Sequence, residues 1–405
     1  PMSWRGWCTR WCHDMCWAGR KAGGRDSGFR RGFAVSFPGG SDACSPDGRE
    51  LPKPLRNIGK LWKLIAAWFS LRRDMKVVNR HAVRIHGPGD MPATGVIGFV
   101  LLRNGEVWLE EFLHHHFNLG VSHMVLMDNG STDNTVAMAR QHPNTTVLTC
   151  DLDFRDYQHA MRLWMQYHYG HDRWSLMLDV DEFFDYPGSQ EIGLGALTGY
   201  LDANGFDAVF ATMLDMYPES IPLAGHKLDL QEIRYFETAS ITRTPYNTVG
   251  VTCDRSIVHG SQGGVRARVF GLQEVQLVKH PLRKDRGHIR YPMNSHFIYG
   301  VSLADFSAVL RHYKYVPGFE EHVSDSVTKQ QYWRGSYEYR HYQAHLTKSG
   351  RINLKDETSE VFLSADQLLE QGFLNASAKF KRFLKSPGSA LERTAVKSQT
   401  RAAGK

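Results

Sequence analysis

Residues 120–135 read GVSHMVLMDNGSTDNT, and what this stretch forms decides the fold. Ser122–Met127 has the length and apolar composition of a buried strand. Asn129-Gly130 is a strong reversal signal, because both residues enter the left-handed backbone region at little cost. Ser131-Thr132-Asp133 ahead of VAMARQ reads as a helix start, since a short side-chain oxygen accepts from the free N–H groups of a first turn. Strand, turn and helix in immediate succession put Asp128 at the carboxyl end of the strand. In an open α/β sheet that edge is where ligands bind. Asp133 is expected to cap the helix, and Asp128 to face the ligand.

The flanking sequence repeats the alternation. Val96–Leu102 is a strand candidate, Glu106–Leu119 a helix, Asp133–Gln141 a helix, Thr145–Cys150 a strand, Tyr157–Tyr169 a helix and Trp174–Leu178 a strand. Strands alternating with helices predict an α/β fold with a mostly parallel central sheet flanked by helices. The last of these strands runs into LDVDEFFDYP, which sets Asp179, Asp181 and Glu182 at a second strand end. Beyond Pro187 the order loosens. Strands are expected at Ala208–Met213, Glu232–Phe236, Gly264–Phe270 and Val275–Val278, a helix near Leu303–His312, and an aromatic-rich helical segment from about His322 to Leu346.

Charge divides the chain. Residues 1–90 hold 17 Lys and Arg against 7 Asp and Glu, net +10 of a total of +7, so residues 91–405 carry −3. A near-neutral body argues against nucleic acid as a partner, because such folds carry their basic patch on the folded surface. No apolar run reaches the ~18 residues needed to span a bilayer, and no secretory signal is evident. The expected location is cytoplasmic. Six cysteines in 405 residues fit a reducing compartment. Cys8, Cys12 and Cys16 with His13 lack the usual metal-knuckle spacing and are read as loose thiols. The expected organisation is a disordered basic leader (1–53), a basic amphipathic helix and linker (54–90), a catalytic domain (91–315), a helical C-terminal extension (316–385) and a disordered tail (386–405). The helix at residues 54–76 carries Leu55, Ile58, Leu61, Trp62, Ile65 and Phe69 on one stripe. It suits either packing on the body or peripheral contact with the inner face of a membrane.

In LDVDEF, alternate positions point the same way, so Asp179 and Asp181 can present two carboxylates to one side. Like charges held together raise a pKa unless a cation neutralises them. A hard divalent ion shared with phosphate oxygens answers that need. Taken together, LLRNGEVWLEEFLHHHFNLGV, LMDNGSTDNT and LDVDEFF resemble the GT-A glycosyltransferases of family 2 type, in the bacterial branch with an Asp-x-Asp-Glu-Phe signature. The similarity is specific from about Val96 to Tyr186 and looser through GGVRARVFGL, QLVKHPL, SHFIYG, LRHYKY and EYRHYQAHL.

The resemblance implies a GT-A-type fold and transfer of a sugar from a nucleotide-diphosphate sugar to an acceptor hydroxyl, with inversion. It implies Mn2+ or Mg2+ as cofactor and a glycan or lipid-linked acceptor as partner. By position, Arg103 and Asp128 would meet the nucleotide base, Asp179 the ribose or the metal, and Asp181 the metal. His296 in NSHFIYG is the best match for a late histidine ligand. Lys279, and Arg266 or Arg268, are cations placed to neutralise a leaving diphosphate. Asp215 in MLDMYPES and Asp254 in VTCDRS are candidates for the catalytic base on the acceptor hydroxyl. The Gln-x-x-Arg-Trp motif of processive synthases is absent, so single-residue transfer is expected. Two other readings stay open: a nucleotidyl or phosphoryl transferase using the same acids, and a non-enzymatic membrane-surface or carbohydrate-binding protein. The consecutive His114-His115-His116 point about 100° apart on a helix and are read as surface and packing rather than a metal tag.

Overall fold

The computed structural model describes residues 69–222, 229–246, 251–285, 296, 298, 300–330, 332–348 and 351–386, all within one compact unit, Leu61–Lys405. The leader, the Cys8–Cys16 group, most of the basic helix and all but the first residue of the tail lie outside the described residues.

Fourteen strands occur among the described residues. They are β1 (Val83–His86), β2 (Val96–Leu102), β3 (Val121–Asp128), β4 (Thr145–Thr149), β5 (Trp174–Leu178), β6 (Glu182–Asp185), β7 (Ala208–Asp215), β8 (Tyr235–Phe236), β9 (Ile241–Pro245), β10 (His259–Gly263), β11 (Val278–Lys279), β12 (Leu282–Lys284), β13 (Leu303–His312) and β14 (Glu360–Val361). Ten of them form one mixed, mostly parallel sheet in the order β1-β4-β3-β2-β5-β12-β7-β13-β6, with β11 on β7. Its long ladders, β2 with β3 and β7 with β13, are parallel.

Helices cover both faces: α1 (Glu106–Asn118), α2 (Thr135–Ala139), α3 (Phe154–Tyr169), α4 (Leu194–Ala203), α5 (Val265–Phe270), α6 (Phe319–Lys329), α7 (Trp333–Lys348), α8 (Ala365–Glu370) and α9 (Ala378–Lys385). None among the described residues is long and apolar enough to cross a membrane.

Strand β2 shows why the sheet is central. Every residue of VIGFVLL is buried, as a parallel strand covered on both faces requires. Ile97, Phe99 and Leu101 join one core with Ala160, Met161 and Met165 of α3. Val96, Val100 and Leu102 join the other with Leu109, Phe112 and Leu113 of α1. At about 1.5–3 kcal/mol for each large side chain fully buried, these two layers dominate the apolar stabilisation. Parallel pairing of β3, β2 and β5 brings the strand ends bearing Asp128 and Asp179 to the same edge of the sheet.

Three expectations are corrected. Leu303–His312 is not a helix but β13, lying between β7 and β6. It is buried on both faces, which removes the alternation that marks a strand and leaves spacings that also suit a helix. Gly264–Phe270 is not a strand but the short helix α5. Its alternating Val265, Ala267 and Val269 mimic strand period, while Gly264 at φ +71° and Gly271 at φ +70° bound the turn. Asp133 does not cap α2 in the expected way. The helix begins at Thr135, and the Asp133 carboxylate accepts from Thr135 N at 3.0 Å and from Glu106 N, the first residue of α1, at 3.1 Å. One acid thereby ties two helix starts together.

The free side of the edge strand β6 is closed by neighbouring histidines. His115 Nε2 donates to Phe184 O at 2.9 Å, and Phe184 N donates to His116 Nε2 at 3.2 Å. His116 Nδ1 donates in turn to Phe112 O at 2.8 Å. Both rings are therefore neutral, and burial, the leading cause for each, lowers their pKa values below the ordinary 6.5. The pair satisfies backbone groups that an open sheet edge leaves exposed.

His116→Ala is expected to cost about 1–3 kcal/mol in urea denaturation, the penalty of leaving buried polar groups unpaired. A depressed histidine pKa gives stability that is full above the unfolded value and is lost as pH falls below about 6.5. Unfolding free energy should thus drop more steeply between about pH 7 and pH 5 in the parent than in His116→Gln. Equal slopes would contradict the assignment.

Candidate active site

The site grows from the turn between β5 and β6. Asp179 and Asp181 lie in that turn, and Glu182 opens β6. Beside it, β11 supplies Lys279, β13 ends in His312, β7 ends in Asp215, and α3 supplies Arg162. Lys279 Nζ donates to Asp179 Oδ2 at 2.7 Å and also to Glu182 Oε1. Arg162 Nη2 donates to Asp179 Oδ1 at 2.7 Å. Both Asp179 oxygens are thus bound to cations. Burial works against the charge of Asp179, but Lys279 and Arg162 outweigh it and hold the carboxyl well below its usual range. Burial likewise opposes the charge on Lys279, yet Asp179 and Glu182 push its pKa above the ordinary lysine value.

A second chain of charges runs away from this group. His312 Nε2 faces Asp181 Oδ2 at 3.2 Å, and Nδ1 lies 2.6 Å from Asp215 Oδ1. Arg266 grips Asp215 with two bonds, Nε to Oδ2 at 2.7 Å and Nη2 to Oδ1 at 2.6 Å. Arg266 Nη1 reaches Glu338 at 3.3 Å, and Lys314 Nζ meets the same carboxylate at 3.0 Å. Burial alone would make His312 neutral. Asp181 overcomes this, helped by Asp215, and its pKa is pushed up to about 9. Five carboxylates, Asp179, Asp181, Glu182, Asp215 and Glu338, thereby face five cationic groups: Lys279, Arg162, His312, Arg266 and Lys314. Such a network holds only if it is complete, since a buried charge left unpaired costs several kcal/mol.

The other expected residues fall in distinct places. Asp128 is buried at the end of β3, where its carboxylate accepts from Gly130 N at 3.0 Å and Ser131 N at 3.2 Å. Arg103 is exposed just past the end of β2, on the same edge of the sheet. Asn104 locks these two loops together: its backbone N donates to Ser131 Oγ, and its side-chain Oδ1 accepts from Thr132 N, both at 2.8 Å. His296 is brought to the acids. Its Nδ1 donates to Val278 O at 2.8 Å, and burial, then Lys279, lowers its pKa to about 4, so the ring is neutral. Asp215 is anchored by Arg266 and His312 rather than exposed. Asp254 is exposed, and its Oδ1 accepts from Ser256 N at 2.8 Å and Ser256 Oγ at 2.7 Å. Arg268 lies away from the turn, on Asp356 at 2.8 Å.

Arg162, His312, Lys314 and Glu338 escaped the sequence reading. Arg162 and Glu338 are single charges on helices, which usually mean solvated surface. His312 had a usable signal, because LRHYKY follows an apolar run whose strand character would have put the histidine at a strand end beside the acids.

Among the described residues no three His, Cys, Asp or Glu side chains gather into a metal-holding group. Two donors do converge, Asp181 Oδ2 and His312 Nε2. His312 Nδ1 is committed to Asp215, the carboxylate–histidine arrangement that directs the other ring nitrogen toward a cation. A hard cation shared with phosphates takes only one or two protein ligands, so this pair fits it once the ion displaces the Nε2 proton that His312 turns toward Asp181. Asp179, with both oxygens on cations, fits it less well. No family model matches the chain, and no curated protein matches it.

Asp215→Ala should destabilise the protein by about 3–5 kcal/mol, because it leaves Arg266 buried without its main partner. Urea denaturation measures this. A loss under about 1 kcal/mol would place Asp215 among exposed, weakly coupled acids instead.

Proposed function

We propose that the chain is a glycosyltransferase that moves a sugar from a nucleotide-diphosphate sugar to an acceptor hydroxyl, with inversion and without processivity. The observation that supports this reading best is the shared edge. Asp128, at the end of one parallel strand, and the Asp179–Asp181 turn, after another, flank β2 where the carboxyl ends of an open α/β sheet take nucleotides. The loop carrying Arg103 is laced to the Asp128 loop, which supports a nucleoside contact there.

Asp181 and His312 are the residues that would hold Mn2+ or Mg2+, and the imidazole favours manganese. That ion, when bound, supplies charge for the diphosphate as it leaves. Lys279 and Arg162 are both committed to Asp179, and Lys279 to Glu182 as well, so they fix the carboxylate turn beside the ion without rearrangement during the reaction. Asp215 holds His312 in place through Nδ1, and Arg266 holds Asp215. This arrangement favours Asp215 as a positioning residue over a base on the acceptor. The acceptor is a glycan or a lipid-linked saccharide.

The test is a donor screen with Mn2+, read by nucleoside-diphosphate release. Asp181→Asn should lower kcat/KM at least ~100-fold, the loss of about 2.7 kcal/mol of transition-state stabilisation. Release of pyrophosphate in place of a nucleoside diphosphate would favour nucleotidyl transfer. Unchanged turnover in Asp181→Asn would refute both.

A further inference from the structure

A cleft of about 370 Å³ opens on the sheet face opposite the charge cluster. Alternation along β13 separates them. His312 joins the cluster, while its neighbours Arg311 and Tyr313 line the cleft.

The floor is aromatic. Phe183 and Phe362 lie there, with the Arg311 guanidinium 5.6 and 5.1 Å from their ring centres. Arg311 is not available to a ligand anion. Its Nε donates to Asp185 at 2.6 Å and its Nη1 to the Tyr313 hydroxyl at 2.7 Å, and Nη2 lies 3.3 Å from His115. The rim is polar and mixed in sign. Helix α1 contributes Glu111 and Asn118, and the far wall contributes Gln231 and Arg234, all four exposed. The side chains of Glu111 and Gln231 make no hydrogen bond or ion pair among the described residues.

These groups select a chemistry. A carboxylate offers acceptors alone, a guanidinium donors alone, and two amides offer both. A phosphate ligand would meet Glu111 across the cleft from Arg234, and would find the buried Arg311 already neutralised. An apolar ligand would strip water from the rim without replacing its hydrogen bonds. A ligand with several hydroxyl groups and one apolar C–H face satisfies rim and floor together. We propose that this cleft binds a neutral saccharide. Saccharide binding here does not rest on the glycosyl-transfer reading above, because the cleft contains none of the residues assigned to the diphosphate.

The experiment is saturation-transfer NMR of the full chain with methyl glycosides of glucose, galactose and N-acetylglucosamine. At least one glycoside should receive saturation from the parent protein and equally from Asp181→Asn. The affinity, taken from the concentration dependence of the signal, should fall at least ~10-fold in Glu111→Ala/Asn118→Ala, about 1.4 kcal/mol of binding. Both substituted positions are exposed, and an unchanged far-ultraviolet circular dichroism melt checks the fold. Absence of transfer to all three glycosides overturns the proposal, as does full transfer in the double variant or competition by inorganic phosphate. Loss of nucleotide binding in Asp181→Asn with saccharide transfer intact supports the cleft and leaves the transferase reading to be judged on its own assay.

Discussion

Everything at the acid edge depends on one buried contact, the Asp215 carboxylate held between Arg266 and His312. It lies at the end of a strand paired in parallel with the strand that carries His312. The register sets His312 opposite Asp215, so pairing of β7 and β13 and pairing of charges enforce each other. Neither ion is tolerable alone at that depth. The consequence is a histidine whose second nitrogen has one direction to face, toward Asp181.

The same logic explains why Asp179 and Asp181 stand together with lowered pKa values, while burial and these two acids raise that of Glu182. Lys279 lies between Asp179 and Glu182, and Arg162 reaches Asp179 from the helix on the sheet face. Each carboxylate has its own cation, and the chain of pairs ends at Glu338 and Lys314 in the C-terminal part. Residues from α3, α5, α7 and four strands therefore meet in one network. The C-terminal helices are thereby coupled electrostatically to the β5–β6 turn. Arg334, Gly335 and Ser336 at the start of α7 adopt left-handed backbone, and Glu338 lies two residues beyond. Such backbone costs of order 1–3 kcal/mol at each non-glycine position and persists only where surrounding contacts fix it. Ser336 is fixed by its Oγ, which donates to Ser326 O at 2.7 Å.

The parallel half of the fold was legible from strand and helix period alone. Its strands are bounded by turn residues, and β3 and β5 run straight into acids, so a shared strand-end edge could be read with Asp128, Asp179 and Asp181 on it. The second half of the sheet was not. Buried on both faces, β13 loses the strand period, and α5 gains one from Val265, Ala267 and Val269 alternating with Arg266, which is buried in ion pairs, and Arg268, which is partly so. Misreading β13 hid His312, since a histidine inside a helix has no reason to meet Asp181. Asp215 was found as a strand-end acid, but its partners come from segments more than 45 residues away in sequence, and one chain gives no signal for such pairings. The histidine triplet was read as packing. It also closes a sheet edge, a role visible only once β6 is known to be outermost.

The most direct test of the central claim is calorimetric titration of a nucleoside diphosphate into the protein with Mn2+ present and then with the ion chelated. The account predicts binding that requires the ion in the parent and is lost in both Asp181→Asn and His312→Gln, while His296→Gln retains most of it. Equal affinity with and without the ion, or full ion-dependent binding in His312→Gln, would contradict it.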